Sequence, residues 1–165
     1  MQKLTSTQIG LFSAVAMIIT SLIGYVVLRL PVEHNFQLIV YGWLIAGIVW
    51  AIFRTKEANP TEATFKALFQ TGFRVFMVVS LLMAVFTGIY FSQQESFRDQ
   101  KIKENTELLK QAGNHTPTEI AQNEERLRDI FLPMMISGAI FRYLIVGALV
   151  SVVAAGFLQR KSITP

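Results

Sequence analysis

Arg142 is the first residue of this sequence to consider for binding chemistry. It is the one ionisable side chain well within an apolar stretch, and a charge in such a place usually marks a path or site for an ion, a lipid or a solute. The guanidinium could bind an anionic lipid or solute. It could also be a structural anchor, because an arginine near the end of a membrane span can extend its charge into the headgroups. The sequence leaves both roles open.

Other reactive groups are few and scattered. The two histidines, His34 and His115, lie in different connections, and with Glu33 they lack the spacing of a metal site. The chain has no cysteine, and it contains no phosphate-binding loop and no hydrolase motif. The apolar runs hold no acidic residue of the kind that proton-coupled transport uses. We therefore predict no enzymatic activity, no metal and no cofactor.

Four long apolar runs must position these residues: Ile9 to Leu30, Leu38 to Phe53, Val75 to Phe91 and Tyr143 to Leu158. A helix needs roughly 20 mostly apolar residues to cross a hydrocarbon core of about 30 Å. Charged residues make up 16% of the chain, against about 25% in soluble domains. We predict an all-α integral membrane four-helix bundle, residues 1–165 forming one domain. The predicted spans are about 9–30, 36–53, 72–91 and 137–158.

The depth of Arg142 follows from helix geometry. About 16 residues separate it from Leu158, which is roughly 24 Å along a helix. In a core of about 30 Å, Arg142 would lie some 6 Å below the opposite surface, within reach of an extended arginine. Glu33, Glu95 and Asp99 are the predicted carboxylate partners at that level.

Two connections contain the same helix-start signature, Asn59-Pro60-Thr61-Glu62 and Thr116-Pro117-Thr118-Glu119. Each offers a capping residue, a proline at the first helical position and a glutamate at the third. The first predicts a helix lying in the membrane interface and turning into span three. The second, after the stop signal at Gly113-Asn114, predicts the second helix of an extracytoplasmic helical excursion that occupies the connection 92–130.

Small residues recur four positions apart in every span. In lipid, close backbone approach through small side chains drives helix packing. The stripes are Ala16, Thr20 and Gly24; Gly42 and Ala46; Ser80, Ala84 and Gly88; and Gly147, Ser151 and Ala155. We predict that Gly24, Ala46, Ala84, Gly88, Gly147 and Ser151 mediate packing within the bundle, or pairing with a second copy of the chain.

The distribution of basic residues predicts the orientation. The formal net charge of +4 is not gathered on one face, so nucleic acid is not an expected partner. Seven basic residues flank the spans on one side: Lys3, Arg54, Lys56, Lys66, Arg74, Arg160 and Lys161. The opposite side has Arg29 and a long connection of net charge −2. Because basic residues near span ends stay in the cytoplasm, we predict an inner-membrane protein with both termini cytoplasmic.

The stretch from Thr61 to Arg74, continuing through Gly88-Ile89-Tyr90-Phe91, resembles the bacterial family called domain of unknown function 4199. The entry to the last span at Phe131-Leu132-Pro133-Met134 and its exit from Ser151 to Arg160 are similar too. The resemblance implies four spans and a bacterial source and implies no activity. We predict a non-enzymatic scaffold or accessory subunit of a membrane complex. The alternative is a protein that handles lipids or small solutes through Arg142. Membrane lipids, other membrane proteins and a second copy are the expected partners.

Overall fold

The computed structural model describes residues 4–28 and 36–160, and these residues are almost entirely helical, with no strand among them. In chain order the long helices are α1 (Ser6–Leu22), α2 (Gln37–Ala58), α3 (Phe65–Ser92), α4 (Glu95–Ala112) and α5 (Pro117–Arg160). A π-helical segment, Ile23–Val27, continues α1, and a 3₁₀ turn, Pro60–Glu62, precedes α3. The predicted all-α class is confirmed.

Four helical segments are long and apolar enough to cross a membrane: Ser6–Val27, Gln37–Ala58, Phe65–Ser92 and Pro117–Gln159. Their outer faces are covered with large apolar side chains. Phe12 and Leu81 are each 60% exposed, and Phe157 is 70% exposed. A soluble monomer rarely exposes such apolar patches, whereas lipid tails solvate them at no cost. The protein is thus a multi-pass helical membrane protein.

The chain divides into two compact units, and the first contains residues up to Met83 and from Ile140 onward. Its helices approach one another at glycines. A Cβ added to Gly10 would lie 3.0 Å from the Val75 carbonyl oxygen, and one added to Gly147 would lie 2.6 Å from the Cγ of Phe76. Such contacts need a residue without a side chain, as expected where helices pack in lipid.

The second unit, Ala84–Ala139, contains α4 packed antiparallel against the first part of α5. The hydroxyl of Thr106, which is buried, donates to Glu124 Oε1 at 2.7 Å, and Arg128 lies 3.6 Å from the Asp99 carboxylate. The Phe97 and Phe131 rings meet edge to face with their centroids 6.3 Å apart. We call this part of the second unit, residues 95–134, the hairpin.

The two helix-start signatures have different outcomes. At α5 the prediction is confirmed: Glu119 accepts a hydrogen bond from the Thr116 backbone N–H at 2.7 Å, and Thr116 Oγ1 accepts from the Glu119 N–H at 3.3 Å. The Asn59 signature starts only the 3₁₀ turn, and the Asn59 side chain makes no capping bond. Instead, Thr64 Oγ1 accepts from the Ala67 N–H at 3.3 Å, so Thr64 caps α3.

Two predicted helices continue into the spans that follow them. The apolar stripe from Phe65 onward, predicted to lie in the interface and turn into span three, is the first part of α3, which is unbroken to Ser92. The second helix of the excursion and the fourth span are likewise one helix of 44 residues, with Pro133 in its interior. The predicted stop at Gly113 is confirmed: this glycine has φ +68° after the last turn of α4, a conformation that costs glycine nothing.

Candidate functional site

Arg142 lies on an exposed stripe of α5. Its side chain is exposed, and Phe141 and Ile145 beside it are 65% and 59% exposed. α5 is continuous from Arg142 to Leu158, so the separation of roughly 24 Å along the helix holds. The guanidinium therefore lies among apolar side chains that face outward, where a lipid molecule or a solute entering from the membrane could meet it.

Tyrosines from three helices gather near Arg142. The rings of Tyr41 on α2 and Tyr143 on α5 are 5.7 Å apart between centroids and inclined by 53°. Tyr143 also interacts electrostatically with Tyr25 and with Arg142. We call Tyr25, Tyr41, Arg142 and Tyr143, together with Gln37, the tyrosine cluster.

A π-helical segment positions the Tyr25 side chain. Tyr25 lies in the middle of the π-helix Ile23–Val27, and single π-helical turns occur often at functional sites. The preceding residue, Gly24, is buried, and a Cβ there would lie 2.7 Å from Cδ1 of the Phe36 ring. Next to Phe36, the Gln37 amide donates a hydrogen bond to the Tyr25 hydroxyl at 3.5 Å. The close packing of Gly24 thus brings the start of α2 to Tyr25.

The tyrosine cluster offers hydrogen-bond donors and no acidic group among its five members. A guanidinium has five N–H donors in a planar fork that matches a phosphate or a carboxylate, and phenol hydroxyls can add further donors. Such a set suits the binding of an anion in a poorly hydrated place, where charge-assisted hydrogen bonds are strong.

The predicted partners of Arg142 remain predictions. Glu33 lies outside the described residues. Asp99 accepts a hydrogen bond from Arg98 at 3.4 Å and lies 3.6 Å from Arg128, both in its own unit. Glu95 is in the first turn of α4.

Four of the residues predicted to pack the helices are buried or lie close to another helix. Gly147 and Ser151 are buried, Gly147 against Phe76 and Ser151 against Gly72. Ala84 is 7% exposed, and a Cβ on Gly88 would lie 3.2 Å from the Ile136 Cδ1.

The stripe predicted on α2 faces outward. Ala46 is exposed, and Gly42 has nothing within 4 Å of the position of a Cβ. Gly47 is the buried glycine of α2: a Cβ there would lie 3.1 Å from the Ser13 Cβ. Within the described chain, Ala46 is therefore not a packing residue. The prediction that Ala46 mediates packing then applies only to pairing with a second copy of the chain.

Buried hydroxyls follow the interior of the first unit. Thr71 Oγ1 donates to the Ala67 carbonyl at 3.1 Å and lies 3.3 Å from Thr55 Oγ1. Ser80 and Ser151 are almost completely buried, and their hydroxyl oxygens have no hydrogen-bond partner. Because an unpaired buried hydroxyl is costly, these two are the least satisfied polar groups of the interior.

Metal-binding groups do not assemble in the part of the chain that the structure describes: no three His, Asp or Glu side chains there could hold an ion together. Of the three residues considered for a metal site, Glu33 and His34 lie outside the described residues and only His115 lies within them. His115 lines a surface depression with Lys110 and Glu124.

The sequence indicated Arg142 but missed the tyrosines around it. Tyr25, Tyr41 and Tyr143 each lie near the same end of a predicted span, and tyrosine is enriched at membrane interfaces. That enrichment was the available signal. It could not show that Tyr41 and Tyr143 meet, because they come from separate helices.

Comparisons with known proteins place the chain in one family. A family model described as a protein of unknown function, DUF4199, matches residues 8–160. No curated protein and no solved structure matches the chain significantly.

Proposed function

The chain belongs to the DUF4199 family of proteins of unknown function, and from this premise we propose that it is a non-enzymatic scaffold or accessory subunit of a membrane complex. The proposal depends mainly on one observation. On its inner side the hairpin pairs Thr106 with Glu124, and α4 presents a separate exposed face that holds Gln100, Lys103, Glu104, Glu107 and Leu108.

The outward face of α4 has the chemistry of a docking surface. Leu108 is 65% exposed. Near it lie the exposed carboxylate of Glu107 and that of Glu104, which accepts hydrogen bonds from Lys101 at 3.1 Å and from Gln100 at 2.9 Å. An exposed leucine beside a carboxylate fits a partner that has an apolar pocket with a lysine or arginine next to it. We infer a basic partner surface, in agreement with the net negative charge of the 92–130 connection.

Capture of partners by a tagged full-length chain in mild detergent tests this role. Replacing Glu104 and Glu107 with lysine and Leu108 with glutamine should abolish co-purification of the partner. The control, Glu125→Lys, changes an exposed charge of the same hairpin on α5 and should leave capture intact. Deletion of residues 94–122 should act like the triple variant. Unchanged co-purification in the triple variant would rule out this face.

A second role is favoured by the tyrosine cluster. The exposed Arg142 beside three tyrosines suits a lipid- or solute-handling protein that binds an anionic group. Arg142→Leu should remove such binding, and Arg142→Lys should retain part of it because the charge persists without the planar fork. If Arg142→Leu leaves folding, partner capture and growth unchanged, this role is wrong.

We propose that the protein resides in the bacterial inner membrane with both termini in the cytoplasm. The Lys56 end of the spans would then face the cytoplasm, and the hairpin would face the opposite compartment. Because the chain has no cysteine, single cysteines introduced at Thr61 and at Gln111 can be labelled without background. A membrane-impermeant thiol reagent added to intact spheroplasts should label the second site and not the first.

A further inference from the structure

Helices α2 and α5 line an open apolar groove of about 450 Å³ on the exposed surface of the first unit. Ile45, Val49 and Phe53 line it from α2, and six residues between Leu149 and Leu158 line it from α5. Every lining side chain is apolar. The role proposed above for the hairpin does not involve this surface.

The two helices run parallel, and one contact joins them near each end of the groove. At one end the Tyr41 and Tyr143 rings meet. At the other, Lys56 Nζ donates a hydrogen bond to the Leu158 carbonyl oxygen at 2.6 Å. Both pairs are 102 positions apart in sequence, so the helices stay in register between them.

The length of the groove matches one leaflet of a bilayer. From Leu149 to Leu158, which both line the groove, there are nine positions, roughly 14 Å along a helix. Half of a hydrocarbon core of about 30 Å is about 15 Å. One acyl chain of a lipid in that leaflet could therefore lie along the whole groove.

The charge at the end of the groove identifies the headgroup. Lys56 follows Ile45, Val49 and Phe53 at helical spacing, so its amine lies on the same stripe of α2. An ammonium group has three donors, and the Leu158 carbonyl takes one of them. The other two can bind the phosphate of a lipid whose acyl chain fills the groove below.

We propose that this groove is a binding site for one anionic phospholipid, with an acyl chain between α2 and α5 and the phosphate at Lys56. Burial of an acyl chain supplies no net preference against bulk lipid, because the surrounding tails are equally apolar. Selection therefore depends on the phosphate contact and on the fit of the groove.

Native mass spectrometry of the full-length protein tests the site. The protein is released from nanodiscs that contain equal amounts of phosphatidylglycerol and phosphatidylethanolamine. We expect one retained phosphatidylglycerol per chain, in at least fivefold preference over phosphatidylethanolamine. Lys56→Gln should abolish the preference and Lys56→Arg should restore it. Lys66→Gln, which removes an exposed lysine of α3, is the matched control and should have no effect.

A second pair of variants tests the groove itself. Val153→Trp should fill the groove and reduce the retained lipid at least fivefold. Leu81→Trp adds the same bulk on an outward face of α3 outside the groove and should not. Should Val153→Trp fail to fold, Ala154→Phe replaces it. Equal retention of both lipids by the unaltered protein, or unchanged retention in the groove variants, would overturn the proposal. So would a dimer that the groove variants dissociate, because a second copy would then occupy the groove.

Discussion

Several close helix contacts of the first unit form where a side chain is missing, whereas the two helices of the hairpin meet through side chains of full size. Gly147 receives Phe76, and Gly72 receives Ser151. In the hairpin, Phe97 packs on Phe131 and Thr106 bonds Glu124. Lipid tails give no hydrophobic force between helices, so spans depend on close backbone approach. Helices in water can instead bury aromatic rings and join charges.

Phe131→Ala should produce the largest effect and should weaken the hairpin alone. Phe131 is 4% exposed, and replacing a buried phenylalanine with alanine costs about 3–5 kcal/mol in water. Amide hydrogen exchange followed by mass spectrometry should accelerate throughout α4 and stay unchanged in α1. Phe141→Ala, at an outward-facing position of the same helix, is the control and should change neither. Equal acceleration in α1 and α4 would contradict the distinction between the two units.

Gly147→Leu should have the next largest effect and should act on the first unit. The added side chain would overlap the Phe76 ring, and overpacking of this kind costs about 1–3 kcal/mol. The thermal unfolding midpoint in detergent should fall, and a larger fraction of the protein than in the unaltered chain should elute as aggregate. Gly156→Leu is the matched control, because a Cβ on Gly156 has nothing within 4 Å. A midpoint that falls equally in both variants would show that packing at Phe76 is not the cause.

The sequence predicted where the spans lie better than it predicted which of their faces are buried. The apolar runs located all four spans, because length and composition suffice to identify a helix in lipid. The spacing of small residues did not decide which face of α2 lies inside. Ala46 and Gly47 are adjacent and both small, yet only Gly47 meets Ser13. Small residues on two adjacent faces of α2 fit the same spacing of four. Which face is buried depends on the helix that packs against it, and the sequence of α2 alone does not show this.

The candidate site shows the same limit. The charge of Arg142 in an apolar run was visible in the sequence, but its neighbours depend on how three helices align. Tyr41 and Tyr143 meet because α2 and α5 run parallel with an offset of 102 residues, a quantity set by packing. The helix start at α5 was predictable from Thr116 to Glu119, since all its bonds are local. At α3, Thr64 caps the helix in place of Asn59, because the intervening turn is 3₁₀.

Thr106→Val should have a smaller effect, because it removes one polar contact of the hairpin while keeping the shape of the side chain. The hydroxyl of Thr106 is buried and donates to Glu124 at 2.7 Å. A hydrogen bond to a charged group contributes about 1.5–3 kcal/mol, but the partly exposed carboxylate can recover water, so we expect the lower end or less. Exchange near the Thr106 amide should accelerate modestly. Thr118→Val, at an exposed position in the first turn of α5, should leave it unchanged.

The smallest expected effect is a pH dependence confined to the hairpin. Hydrogen bonds from the Thr116 backbone N–H and hydroxyl lower the pKa of Glu119 below its usual value of 4.5, and hydrogen bonds from Lys101 and Gln100 lower the pKa of Glu104. A carboxyl group with a lowered pKa in the folded state stabilises that state above pH 4.5 and loses this contribution as the pH falls through the lowered pKa. Both side chains are exposed, so the loss should be local fraying of the first turn of α5 and of α4 around Glu104. Exchange measured between pH 6 and pH 3, corrected for the intrinsic rate, should show it there and not at Gly147. Glu119→Gln should abolish the pH dependence at the start of α5 and leave that around Glu104 in place, because each carboxylate acts through its own neighbours.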